Sequence, residues 1–244
     1  MTEPFLTIVV PAFNEGSRLG STLKGIRSYA DSKTFSLEVI VVDDGSRDRT
    51  PELLAEFAKH FPAMRVFRHE QNRGKGYTVR RGVLEAQGEF VAFSDADLSA
   101  PIEEVDHLLR ALESSGADAA VGSRALKREL IGVHQPWFRE FGGRLFNLLV
   151  RLFTGLKLRD TQCGLKLFRR TTTRRAFELQ RVVGFGFDPE LLFLIERLGG
   201  KVVEVPVRWN DNPATKVHFL RDATRMTLGL LLLRWRWGRG QYGN

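Results

Sequence analysis

The chain has 244 residues, 43% hydrophobic and 27% charged, with 23 glycines, one cysteine and a formal charge of +8. This length and balance exclude disordered, collagen-like and low-complexity classes and indicate one domain, or one domain with an appendage. A single thiol, Cys163, excludes an intrachain disulfide, a four-thiolate zinc site and a ferredoxin-type cluster, and fits a reducing compartment. Residues 1–122 carry 14 basic and 19 acidic side chains, whereas residues 123–244 carry 23 and 10. The basic half calls for an anion: nucleic acid, a phospholipid surface or a phosphorylated substrate.

In chain order, Met1 to Phe5 holds an acidic residue and no basic cluster, which argues against a secretory signal, and Pro11 and Asn14 follow too soon for a spanning helix. Short apolar runs predict strands over Leu6–Val10, Leu37–Val42, Met64–Arg68, Phe90–Ser94 and Ala119–Gly122. Helical spacing fills the gaps over Ser17–Tyr29, Gly76–Gln87 and Ile102–Glu113, with Thr50 as a cap before Pro51. Strand and helix in alternation predict an α/β fold with a mostly parallel sheet flanked by helices.

In such a sheet ligands meet the carboxyl ends of the strands. The loops there are Pro11-Ala12-Phe13-Asn14-Glu15, Asp43-Asp44-Gly45-Ser46, Asn72-Arg73-Gly74-Lys75-Gly76 and Asp95-Ala96-Asp97. Two aspartates at i and i+2 leaving a strand share a side, and hard oxygen ligands suit Mg²⁺ or Mn²⁺ carried on a diphosphate, so Asp95 and Asp97 are the metal candidates. Lys75, between two glycines at a helix start, suits a phosphate. Asp43 to Ser46 reads either as a turn or as a carboxylate for the base or ribose of a nucleotide. Neither a phosphate-loop signature nor a Gly-x-Gly-x-x-Gly follows the first strand, which disfavours ATPase and dinucleotide readings.

These four blocks, in order and spacing, resemble the inverting family 2 glycosyltransferases. Val121-Gly122-Ser123-Arg124, Arg159 to Phe168 and Gly186 to Leu191 narrow the resemblance to the polyprenyl-phosphate sugar synthases, nearest the dolichyl-phosphate β-glucosyltransferases. The resemblance implies a GT-A fold over residues 1–220. Pro11, Ala12, Glu15, Asp43 and Asp44, with Asn14 and Gly45 in the same blocks, would hold the nucleoside. Asp95 and Asp97 would bind ribose, diphosphate and metal, with Lys75 beside the nucleotide. Where relatives carry a Gly-x-Ser-Lys segment this chain has Asn212-Pro213-Ala214-Thr215-Lys216, and Lys216 inherits the phosphate role. Many relatives end in transmembrane helices, and none is expected here.

A phosphate acceptor is already mostly ionised near neutral pH, with a second pKa of about 6, so no strong base is demanded. Arg124, with Lys127, Arg128, Arg139 and Arg144 nearby, offers guanidinium forks for that phosphate. Asp160, in a block that lies beside the acceptor in similar enzymes, orients the nucleophile, accepts its proton, or simply pairs with Arg159. Gln162 joins the acceptor pocket, and Lys166 is either a phosphate contact or a strand residue facing solvent. Asp97, Arg124 and Asp160 thus form the expected catalytic set. Cys163 reads as a small buried hydrophobe, and the histidines show no ligand spacing.

Trp137 to Phe153 puts Phe138, Phe141, Leu145, Leu148, Leu149 and Leu152 on one helical face. Residues 221–244 join a leucine run to Arg234-Trp235-Arg236-Trp237, too short for the ~20 residues of a span but suited to a lipid headgroup layer. The alternatives are a helix packed on its own sheet and a homodimer seam. Together these features predict transfer of glucose from UDP-glucose to a polyprenyl or dolichyl phosphate on the cytoplasmic face of a membrane, with the protein peripheral. Rivals are GDP-mannose as donor, a soluble acceptor, a donor-binding protein without activity, and a basic nucleic-acid-binding module; no nucleic acid partner is expected, for want of a recognised binding signature.

Overall fold

The computed structural model describes residues 3–212 and 219–243, apart from the side chains of 219–222. Lys216 therefore lies outside the described residues. Strands β1 (Leu6–Ala12), β2 (Leu37–Asp43), β3 (Met64–Arg68), β4 (Phe90–Ser94) and β5 (Ala119–Ser123) match the expected runs and extend three of them at their carboxyl ends. Together with β7 (Leu165–Arg169) and β8 (Val202–Pro206) they form a seven-stranded sheet of order β3-β2-β1-β4-β7-β5-β8 among the described residues. β6 (Ile131–Val133) and β9 (Trp209–Asn210) pair separately.

Alternation along the strands sorts the core into two layers. Leu6, Ile8 and Val10 pack with Leu19, Leu23 and Ile26 of α1 (Leu19–Asp31) and Leu108 and Leu112 of α4 (Val105–Ser115). Val9, Ile40 and Val42 face the other way, onto Val79 and Val83 of α3 (Lys75–Glu85) and Leu191 of α7 (Phe187–Arg197). Both faces are covered, which is why the strands read as unbroken apolar runs. The expected helices shift by one to three residues at their ends, and two starts differ in kind. Thr50 belongs to α2 (Thr50–His60) and does not cap it: its hydroxyl donates to Asp48 and accepts the backbone N–H of Glu15, tying the first loop to the second. Ile102–Glu104 forms a 3₁₀ turn before α4 begins.

The sequence reading gave no strand range after residue 122, only a strand as one alternative for Lys166, and β7 is the consequential omission. It runs antiparallel between β4 and β5. That insertion carries the loop 160–164 to the ends of both neighbours, where Asp95 N–H donates to Gly164 O at 2.9 Å. Lys166, read as a phosphate contact or solvent-facing, is fully buried in β7; its ammonium lies 2.6 Å from Asp188 of α7 and donates to Cys163 O, also at 2.6 Å. Burial of both faces of a central strand leaves no solvent side for it.

Helix α5 (Trp137–Thr154) buries Phe146, Val150, Asn147 and Thr154 and turns the face anticipated as apolar outward. Trp137 is 79% exposed, Phe141 65%, Leu148 59% and Leu152 74%. The helix does not pack that stripe on its own sheet. Helix α8 (Phe219–Gly238) lies against α5 and α7 and divides its leucines: Leu230 and Leu233 are buried, Leu228, Leu231 and Leu232 exposed. Among the described residues no helix is long and apolar enough to cross a membrane.

Lys166 and Asp188 test the β7 insertion. Removing one member of a buried ion pair leaves the other charge desolvated, so Lys166→Met should lower stability by about 3 kcal/mol in denaturant unfolding; an unchanged midpoint would refute the pairing.

Candidate active site

A hollow of about 690 Å³ opens over the carboxyl ends of the parallel strands. The first loop contributes Pro11, Ala12, Glu15 and Arg18, the second Asp44, the start of α3 Lys75, and the end of β4 Asp95 and Asp97. Arg124 enters from the end of β5, Gln162 and Gly164 from the loop before β7, and Asp188 from α7. The remaining wall is helical: Arg139, Gly142, Gly143 and Phe146 of α5, with Ala223 and Met226 of α8.

Lys75 Nζ stands 2.7 Å from Asp95 and is flanked by the rings of Phe93 and Phe185 at 5.3 and 5.9 Å. Burial works against both charges. Asp95 and Asp188 nonetheless push the Lys75 ammonium above its ordinary pKa, whereas for Asp95 burial prevails and its carboxyl is raised. The backbone on each side makes this approach feasible. Gly74 has φ +98°, and a Cβ there would meet Val183 O at 2.5 Å; a Cβ on Gly164 would lie 2.1 Å from an Asp95 carboxylate oxygen. Asp97 accepts the Ser99 N–H at 3.0 Å and lies 3.8 Å from Arg18, which is itself clamped by Glu15. Arg18 escaped the sequence reading, although its i+3 spacing from Glu15 was a local sign of pairing. Asp188 was missed as a site residue because nothing local reveals that it meets Lys166 and lies 3.5 Å from the Gln162 amide.

Several expected donor residues are engaged within the protein. Asn14, Asp43 and Gly45 do not line the hollow. Asn14 Oδ1 accepts the Arg47 N–H, Asp43 accepts that of Ser46 and lies 3.1 Å from Arg68, and Gly45 turns the chain at φ +74°. Asp43 and Gly45 thus take part in the turn anticipated for this block. Asp44 does reach the hollow, while its carboxylate takes the N–H groups of Arg73 and Gly74, both at 2.8 Å, and binds His69.

Arg124 and Asp160 form a bidentate pair, Nε–Oδ2 2.7 Å and Nη2–Oδ1 2.9 Å, and Arg124 lies over the Trp209 ring at 5.3 Å. Asp160 thus pairs with Arg124 and not with Arg159, whose backbone N–H goes to Glu204. Although burial opposes its charge, Arg124 holds the Asp160 carboxyl below the ordinary carboxylate range. A carboxylate so stabilised is a poor proton acceptor, which favours the orienting role for Asp160, through Arg124, over the base role. Arg139 lines the same wall, whereas Arg144 does not. Burial pushes the Cys163 thiol up to about 11, so it is no nucleophile.

Among the described residues, no three His, Cys, Asp or Glu side chains form a metal cluster. Asp95 and Asp97 are an all-oxygen pair on one wall, the donor set with which Mg²⁺ or Mn²⁺ is held when substrate phosphates complete its shell.

The sequence profile of glycosyl transferase family 2 matches residues 7–177. This chain belongs to that family. Among similar proteins, the dolichyl-phosphate β-glucosyltransferase of Drosophila melanogaster is 39% identical over 225 residues, 87% of this chain and 69% of that protein. Its namesake from Saccharomyces cerevisiae is 31% identical, over 98% and 77%. A likeness in fold is seen with the Mycobacterium tuberculosis glucosyl-3-phosphoglycerate synthase in complex with UDP, TM-score 0.65 at 21% identity, covering 95% of this chain and 79% of the other. The mannosyl-3-phosphoglycerate synthase of Rubrobacter xylanophilus gives 0.69 at 18% identity, covering 98% and 75%. Both structural likenesses bear on the fold, a GT-A glycosyltransferase domain.

Two substitutions probe this family 2 site. Gly164→Ala should displace the Asp95 carboxylate and cut sugar transfer about 10²-fold with little loss of folding, the effect of a shift of about 1 Å in a reacting group; full activity would show that Asp95 can stand elsewhere. Asp160→Asn should lower turnover while the pH–rate profile between pH 5 and 8 keeps its shape, because the group it replaces stays ionised throughout; loss of an inflection would restore Asp160 as a base.

Proposed function

We propose that this protein moves glucose from UDP-glucose to the phosphate of a polyprenyl or dolichyl phosphate, with inversion, while lying on a membrane surface. The identity to dolichyl-phosphate β-glucosyltransferases supports the donor and acceptor. The observation that carries the reading is the double duty of α5. Its inner side gives Arg139, Gly142, Gly143 and Phe146 to the hollow, and its outer side is an exposed stripe of Trp137, Phe141, Leu145, Leu148 and Leu152. A lipid tail can remain in the bilayer while its phosphate enters beside Arg124.

Pro11, Ala12 and Glu15 would face the nucleoside, and Lys75 and Arg18 the diphosphate, with Lys216 as an additional phosphate contact. Asp95 and Asp97 would hold Mg²⁺ or Mn²⁺, which when bound supplies positive charge to the departing UDP. Arg124, fixed by Asp160, would clamp the acceptor phosphate with Arg139 and Gln162. One acceptor oxygen then attacks the anomeric carbon from the face opposite UDP, forming a new C–O bond as the bond to the diphosphate breaks. Fixed charges of this kind stabilise the transition state without reorganising.

Purified protein supplied with radiolabelled nucleotide sugars and a polyprenyl phosphate should pass label from UDP-glucose into the organic phase, dependent on divalent cation. Asp95→Asn should abolish that transfer. Label from GDP-mannose alone would replace the donor, and no lipid-soluble product from any donor would reject the proposal.

A further inference from the structure

Arg144 was grouped with Arg124 and Arg139 from sequence, yet it stands outside the catalytic hollow. It lines a second groove of about 380 Å³ with Asn147, Leu148, Arg151 and Arg159, which no step of the transfer uses. At 3.6 residues per turn, Arg144, Leu148 and Arg151 align along α5, and the two arginines lie about 10 Å apart along its axis. They border the exposed stripe, where Leu145 is 49% and Leu152 74% exposed.

The groove is built rather than incidental. Asn147 is buried, donates to Leu158 O at 3.0 Å and accepts from the Thr161 hydroxyl at 3.2 Å, which fastens the loop bearing Arg159 against α5. The Arg159 N–H is held by Glu204 at 2.9 Å. Arg144 has the one acid in reach, Glu140, at 3.6 Å, and among the described residues Arg151 and Arg159 have no ion-pair partner. Guanidinium groups at the margin of an apolar stripe match one partner: the phosphate of a lipid whose chains cover the leucines.

We propose that this groove binds the headgroup of an anionic phospholipid, as a second phosphate site separate from the acceptor pocket on the opposite side of the same helix. It sets the depth at which α5 rides on the bilayer. The proposal shares with the preceding section the placement of α5 on a membrane and is independent of which sugar is transferred.

Flotation with phosphatidylcholine vesicles, with and without phosphatidylglycerol, tests it. The wild-type chain should bind the anionic vesicles more tightly, and Arg151→Gln with Arg159→Gln should weaken that binding about tenfold or more, at about 1 kcal/mol per basic residue near the surface. A charge-matched control, Arg174→Gln with Arg175→Gln on α6 (Arg170–Leu179), should keep most of the gain. Equal losses in the two double variants would reduce the effect to net charge and overturn the proposal, as would no loss in either. Transfer to a short-chain, water-soluble prenyl phosphate without vesicles should survive the groove variant. If wild-type protein lacks that transfer while the vesicle result stands, the sugar-transfer reading fails and the headgroup site remains.

Discussion

Four carboxylates stand close together at this site only because four cations stand among them. Asp95 is met by Lys75 at 2.7 Å, Asp160 by Arg124 at 2.7 Å, Asp188 by Lys166 at 2.6 Å, and Asp97 by Arg18 at 3.8 Å. A single buried carboxylate loses several kcal/mol of hydration, and a cluster of them adds mutual repulsion. Pairing offsets both effects. It also leaves the charges fixed in direction before any substrate arrives, which is the condition for electrostatic catalysis of a reaction between anions.

The pairs differ in depth, and with depth in use. Lys166 and Asp160 sit behind the surface of the hollow and act through Asp188 and Arg124, whereas Lys75, Asp95, Asp97 and Arg18 line it. The strand that brings the deeper layer forward is β7, inserted antiparallel between β4 and β5. Without it the loop carrying Asp160, Gln162 and Gly164 would have no reason to end beside Asp95. The absence of a side chain at Gly164 then decides whether that carboxylate can occupy its position at all.

Helix α5 joins this polar site to an apolar exterior. Its buried side holds Phe146 and Val150, its cavity side Arg139, and its outer side bulky apolar residues that nothing in the described chain covers. Gly142 and Gly143 line the hollow from the same helix. A surface of that kind is stable in water only at a cost, and the arginines along its margin moderate that cost while matching an anionic layer.

By itself the sequence determined the alternation of strand and helix, the five leading strands, and the loops that converge at their ends, because apolar periodicity and turn chemistry are local. It also singled out Lys75, Asp95, Asp97 and Arg124. Tertiary structure alone decided the partners. Asp160 is 36 residues from Arg124, and their pairing has no local signature. The same holds for buried Lys166 and for Asp43, whose carboxylate accepts the Ser46 N–H across a turn. Periodicity showed that α5 has an apolar face but not which way it points: that depends on what packs behind Phe146 and Val150, and packing is a property of the assembled sheet.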